Sequence, residues 1–385
     1  MLLELTSEQR AFADAVESFC RRECGTREQR DALTSATSAT PGGGHAHSPE
    51  LYRKVAELGW LGVGLPEADG GSGGGAVEMC LFLEATARAM APLGGWTTSV
   101  IVGGTYARFG SAEQRASVIG GIAGGAVASI AMSEPGAGSD VAAIACAAKP
   151  ADGGGWVVEG QKTWCSNAHV ADHILLVART AGRGHDGLTM FHVPAGTPGL
   201  EIRGIDTMGG REVNDLYFTG CELPASAVVG EVGNGWRQLM AGLNHERLVL
   251  AALMLGTAQR AFDDALRFVG EREQFGRPVG RFQAVRHRIA DLATELACCR
   301  LLVHQTARLV DANPGTLFPR EASMAKLKVT EVAKRTALKG MQLMGGYGYA
   351  TEYDMERLLR ASVISTVYGG TSEIQRDIIG KTYGL

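Results

Sequence analysis

The spacing of apolar residues changes twice along the chain, and this limits the available folds more than any other feature. In the first third, Leu5, Phe12, Val16 and Phe19 form a stripe at helical spacing, as do Leu51, Val55, Leu58 and Leu61, then Met79, Leu83, Ala87 and Met90. From Ser129 to Leu223 the pattern breaks into short runs, Trp156–Val158, His173–Val177, Thr189–Val193 and Asp215–Phe218, separated by Gly, Pro and Asp. Runs of that length between turn residues are strands. Helical patterning returns after Gly235 in Trp236–Val269, Phe282–Asn313, Glu321–Met344 and from Ile374 onward. The chain of 385 residues exceeds one ordinary core. The order predicts a mainly α protein with a central β domain, divided as 1–127, 128–234 and 235–385. The stretch Thr34–Ser48, rich in Ser, Thr, Gly and His without periodicity, reads as a mobile loop.

Composition excludes several classes. Apolar residues make up 45% and charged residues 20%, the balance of a packed globular chain. A net charge of -4 gives no overall basic field, so nucleic acid is not expected as a partner. The longest apolar runs, such as Leu248–Leu255 and Val141–Ala148, fall short of the roughly 20 residues that span a bilayer, and no membrane association is expected. Glu4, Glu8 and Arg10 interrupt the N-terminal segment, which leaves no secretory core there and makes the cytoplasm the expected compartment. The eight cysteines include no CxxC pair and no His at ligand spacing, so they read as reduced thiols with no metal, Cys20 and Cys24 being two positions on one helix.

Three groups of residues carry chemistry. Ser133-Glu134-Pro135-Gly136-Ala137-Gly138-Ser139-Asp140 offers hydroxyls and unencumbered N–H groups to a planar ring or a phosphate. Gly160-Gln161-Lys162-Thr163-Trp164-Cys165-Ser166-Asn167 sets a tryptophan two residues before a hydroxyl; taken by itself, Trp164 reads as a core aromatic. Near the C-terminus stand Gln342-Leu343-Met344-Gly345-Gly346-Tyr347-Gly348-Tyr349 and Tyr368-Gly369-Gly370-Thr371-Ser372-Glu373-Ile374-Gln375-Arg376. Glycine, at 53 residues, clusters at Gly70–Gly75, Gly345–Gly348 and Gly369–Gly370, which makes those turns candidate ligand loops.

Together and in this order, with Pro66–Gly71, Met208–Arg211, Arg272-Glu273-Gln274-Phe275-Gly276 and Gln283, these segments resemble the acyl-CoA dehydrogenase family from about Thr6 to Leu385. The resemblance implies an N-terminal helical domain, a middle β-barrel, a C-terminal four-helix bundle, bound FAD and a tetramer. It also implies an acyl-CoA substrate and an electron-transfer flavoprotein or similar acceptor. Carried over by position, Met132, Ser133, Gly138, Ser139, Trp164 and Ser166 bind the flavin, with Ser139 also toward the thioester. Arg272, Phe275 and Gln283 contact the FAD of a neighbouring subunit, while Gln342, Gly345, Gly346, Thr371 and Glu373 complete the dinucleotide site.

The reaction needs a base for the α-proton. In many family members a glutamate directly follows the tyrosine of the YxGTS motif, but this chain has Gly369 there. Isovaleryl-CoA dehydrogenase, with a small residue at that place, takes its base from the first long C-terminal helix. The segment Gly242-Leu243-Asn244-His245-Glu246-Arg247-Leu248-Val249-Leu250-Ala251 resembles it and assigns the base to Glu246. Outside that context a Glu–Arg dipeptide on a helix is a solvated pair. Asn244, Arg247 and Gly370 then fall to the substrate, and the Gly369 N–H to the thioester oxygen. Glycine at 369 is expected to leave volume for branched acyl chains, and burial to raise the pKa of Glu246. Two alternatives remain, a flavin-binding subunit of a mixed tetramer and a flavin oxidase or monooxygenase on the same scaffold.

Overall fold

Side-chain caps start several of the helices. In the computed structural model, which describes residues 4–38 and 46–385, helix α1 (Ser7–Cys24) opens on a reciprocal pair of bonds between Thr6 and Gln9. Helix α2 spans Arg27–Ser38. Helix α3 (Pro49–Glu57) begins with Ser48 accepting from the Leu51 N–H and a proline in its first turn. Then come α4 (Ala76–Arg88), α5 (Gly94–Phe109) and α6 (Ala112–Ala123). Strands follow as β1 (Ala128–Ala131), β2 (Ala147–Pro150), β3 (Trp156–Ser166), β4 (His173–Arg179), β5 (Leu188–Pro194), β6 (Leu200–Thr207), β7 (Gly210–Leu223) and β8 (Val228–Val229). The C-terminal helices are α7 (Gly235–Glu271), α8 (Gln283–Ala312), α9 (Pro319–Met344), α10 (Gly346–Tyr349), α11 (Met355–Ile364) and α12 (Ser372–Lys381). No described helix is long and apolar enough to cross a membrane.

The predicted mainly α architecture with a central sheet is present. The predicted loop at Thr34–Ser48 is corrected at its start, where α2 continues through Ser38 and Thr34 is buried. No proline interrupts the helix before Pro41, and Ser and Thr lower helix propensity without forbidding it. Residues 39–45 lie outside the described residues, and His47 beyond them is buried and bridged to Leu93.

The chain forms two compact units, one of residues 1–30, 75–91 and 246–385, the other of 31–74 and 92–245. In the first, α4 is fastened to α8 by the Ala76 and Val77 N–H groups, which donate to the Asp311 carboxylate at 2.6 and 3.0 Å. Glu84 accepts from Arg300 and pairs with the His304 Nε2 at 3.1 Å. Ala261, Ala265, Ala337, Met344, Met355 and Leu358 form a buried apolar cluster among the C-terminal helices.

In the second unit one sheet runs in the order β6-β7-β3-β2-β4-β5-β8, with β1 added parallel to β4. Strand β4 is buried along Ile174–Ala178, so it reads as a continuous apolar run and not an alternating one. Helix α5 packs against β1, and Trp96 within it is buried with its indole N–H on the Leu61 carbonyl at 2.9 Å. Gly71, Ser72 and Gly73 donate to the carbonyls of Pro66, Gly62 and Leu65, which makes that glycine cluster a turn held by its own neighbours.

Candidate functional site

In the second unit the Met132–Ser139 loop is fixed from beneath by a buried ion pair. The Glu134 carboxylate accepts from the Ala145 and Cys146 N–H groups at 2.8 and 2.9 Å and from Lys162 Nζ at 2.7 Å. Lys162, fully buried, also donates to the Met132 carbonyl at 2.9 Å, and burial holds its pKa below the usual lysine range despite the facing carboxylate. Thr163 N–H donates to the Ser133 carbonyl at 2.9 Å. The Lys162–Thr163 step of β3 thereby ties Met132 and Ser133 to the strand that carries Trp164 and Ser166.

Above these anchors the surface is open. A Cβ built at Gly136 or Gly138 meets no described atom within 4 Å, and Ser139 is exposed. Trp164 is 59% exposed at φ +60°, where β3 and β7 shift register between Lys162 and Cys165. It is therefore no core aromatic: the bulge turns the ring outward. A left-handed tryptophan with a hydrated face is costly on two counts, and a planar ligand covering the ring offsets one of them.

In the first unit the Gly369-Gly370 turn is held from two sides. Gln375, buried, donates through Nε2 to the Gly369 and Gly370 carbonyls at 2.9 and 3.1 Å, and Lys326 Nζ donates to the Gly370 carbonyl at 2.7 Å. Thr371 then caps α12 by accepting from the Ile374 N–H, with Glu373 in the first turn. Gly369 has φ +59°; a Cβ there would lie 3.5 Å from Glu246 Oε1 and would collide with Leu250 Cδ1. The volume expected beside Gly369 is thus filled by Leu250, with the Glu246 carboxylate next to it. Desolvation raises the Glu246 pKa, against the opposing fields of Arg247 and Lys326. Lys326, fully buried, is pulled down to about 8 by burial, with Glu246 opposing. Arg247 is buried, whereas Asn244 is half-buried and donates to the Met240 carbonyl one turn back.

Gly369→Ala is expected to cost about 1–3 kcal/mol in urea denaturation, because it meets both the left-handed backbone and Leu250. Gly380→Ala, where a Cβ meets no described atom within 4 Å on a helix, is the control and should be neutral or stabilising. Equal midpoints for the two variants would refute the constraint at 369.

Elsewhere in the first unit, Phe275 sits at the tip of the hairpin Glu273–Gln274/Arg277–Pro278, 93% exposed at φ +54°. Arg272 lies 5.4 Å over the Tyr347 ring, which brings the hairpin base to the Gly345–Tyr347 segment. Gln283 begins α8, and Gln342 is exposed in the last turn of α9. A Cβ at Gly345 or Gly346 meets no described atom within 4 Å. Exposed aromatics and open glycine backbone fit a flat ring system joined to phosphates.

Four residues with clear roles in these anchors were not singled out from the sequence: Glu134, Lys162, Lys326 and Gln375. For Lys326 a signal existed: it shares the buried face of Ala322, Ala325 and Val329 on α9, and a lysine amid apolar positions needs a buried partner. Lys162, between Gln161 and Thr163, carried none.

Comparison with known proteins identifies the family. Family models for the acyl-CoA dehydrogenase N-terminal, middle and C-terminal domains match residues 6–126, 129–221 and 233–384. The chain is 36% identical over 390 residues to a benzylmalonyl-CoA dehydrogenase of Aromatoleum aromaticum, covering 99% of both. It is 36% identical over 381 residues to a mitochondrial isovaleryl-CoA dehydrogenase of Solanum tuberosum, covering 97% of this chain and 90% of that one. A solved FAD complex of PigA superposes with a TM-score of 0.91 at 27% identity over 100% of both chains. With matches across all three domains and relatives along nearly its whole length, the chain belongs to the acyl-CoA dehydrogenase family, FAD-dependent oxidoreductases acting on CH–CH bonds.

Proposed function

We propose that the chain dehydrogenates an acyl-CoA thioester between Cα and Cβ, with Glu246 as the base. One observation carries this reading: the Glu246 carboxylate reaches the space above Gly369, where a side chain following the tyrosine would otherwise stand. The bound FAD supplies the acceptor for the β-hydride at its N5. Met132, Ser133, Gly138, Ser139, Trp164 and Ser166 hold the flavin; Gln342, Gly345, Gly346, Thr371 and Glu373 hold the dinucleotide. In a tetramer Arg272, Phe275 and Gln283 reach the FAD of a neighbouring subunit, and the exposed Phe275 ring supports this. Ser139, Asn244, Arg247 and Gly370 are the residues this reading assigns to the thioester, and the Gly369 N–H is its donor to the thioester oxygen as negative charge develops there. An electron-transfer flavoprotein or similar acceptor reoxidises the enzyme.

The α-proton of a thioester is weakly acidic, so a carboxylate with a raised pKa is the stronger base for it. Its working form is the anion. The rate of flavin reduction therefore falls as pH drops through a midpoint above the ordinary glutamate value of about 4.3, and rises to a plateau above it. Stopped-flow bleaching across pH measures this; a midpoint in the ordinary glutamate range would contradict it.

The activity itself is tested by anaerobic addition of straight, branched and cyclic acyl-CoAs. Relatives named for isovaleryl and benzylmalonyl thioesters put substituted chains first in that panel. Bleaching of the yellow protein by at least one member is expected. A colourless protein that gains colour only with a second chain, or rapid peroxide formation in air without reduction of an electron-transfer acceptor, would replace the proposal.

A further inference from the structure

Lys326 is not needed to build α9, yet its side chain is fully buried and ends on a carbonyl of the turn beside Glu246. Nothing in helix formation calls for a lysine at that position, and burying an ammonium carries a cost that a methionine would not. Its stem runs on the face of α9 shared by Ala322, Ala325, Val329 and Ala333, and Nζ stands 5.9 Å over the Tyr368 ring. Glu246 reaches the first glycine of the turn and Lys326 holds the second, so the carboxylate and the ammonium flank one dipeptide.

From this geometry we infer that Lys326 is a positioning residue for the base, coupling the charge of Glu246 to the Gly369-Gly370 turn. The inference rests on the reading of Glu246 as base and adds to it a partner on another helix. The other charged groups around the pair are Arg247, on the same helix as Glu246, and Glu373, at the start of α12. Arg247 favours the Glu246 anion and disfavours the Lys326 cation; Glu373 favours the cation. The turn does not depend on Lys326 alone, since Gln375 holds both of its carbonyls. Removing the ammonium therefore leaves the turn closed while taking away a cation, carried on another helix, whose field favours the Glu246 anion. The carboxylate then loses an attraction that lowered its pKa, so its titration moves to higher pH.

The test uses the FAD-loaded protein with ¹³C-labelled glutamate, the Glu246 carboxyl being assigned by its loss in Glu246→Gln. In Lys326→Met the Glu246 midpoint should shift upward, and at a pH below both midpoints bleaching by a thioester that bleaches the unaltered enzyme should slow by roughly tenfold. Lys326→Arg, which keeps the charge, should return the midpoint toward its original place. Gln375→Leu, which loosens the turn but keeps the cation, should lower activity without moving the midpoint. Should Lys326→Met fail to fold, the reciprocal measurement decides: in Glu246→Gln the Lys326 ammonium, labelled in the same way, should titrate below about 8. An unmoved midpoint in both directions would overturn the coupling even if Glu246 proves to be the base. Undiminished bleaching in Glu246→Gln would sink the base and leave the coupling standing.

Discussion

Glu246→Gln should lose anaerobic bleaching by roughly 10²–10⁴-fold, the span associated with removing a positioned general base, while the protein stays yellow. The amide keeps the shape and the contacts beside Gly369 but cannot accept a proton, so the effect falls on the rate of flavin reduction and not on the binding of cofactor. Stopped-flow reduction with a saturating thioester separates the two, since a purely structural role would lower FAD content and raise KM instead. Activity within a few-fold of the unaltered enzyme would remove Glu246 from the mechanism. A base moved back to position 369 must contend with the geometry there: a side chain on Gly369 needs left-handed backbone and displacement of Leu250. Glu246→Gly with Gly369→Glu is therefore expected to recover activity only when Leu250 is also shortened.

The largest effect on stability should come from Lys162→Met. Glu134 would keep its two backbone donors but lose its cation in a position where both side chains are buried. Breaking a buried pair by removing one partner costs about 3–5 kcal/mol, because the remaining charge is uncompensated. Glu134→Gln should also be costly, because it leaves the buried Lys162 ammonium without its counter-charge and takes an acceptor oxygen from one of the two backbone N–H groups. The double substitution should be milder than the sum of the two, which is the signature of a shared interaction. Urea denaturation with FAD release as a second signal reads both, and FAD should be lost first because the pair lies under the Met132–Ser139 loop. Additive single effects, or a cost under about 1 kcal/mol for Lys162→Met, would show that the pair does not hold the loop.

Periodicity carried the coarse order of the fold because a helix packed on one side must repeat its apolar positions at 3–4 residues, and a strand must not. It therefore read α7, α8 and α9, and the run buried in β4. It did not read α5, whose sequence Gly-Gly-Trp-Thr-Thr-Ser-Val-Ile-Val-Gly-Gly-Thr-Tyr-Ala-Arg-Phe is poor in helix formers. Burial of Gly95, Trp96, Ser99, Val100, Ile101, Val102 and Gly103 stabilises that helix through contacts no local pattern records. The short strands β1, β2 and β6 were missed for a similar reason, since four to eight residues of mixed pattern become strands only where a neighbouring ladder accepts them.

The sequence by itself determined the family, through motifs whose order and company are specific, and it marked Glu246 by the absence of a glutamate at 369. Only the tertiary structure decided what surrounds those motifs: the outward turn of Trp164 at a bulge, the collision of any 369 side chain with Leu250, and the burial of Lys162 and Lys326 against partners distant in sequence. The physical reason is that a motif specifies which groups are available, whereas desolvation and charge pairing depend on what the rest of the chain brings within a few ångströms of them.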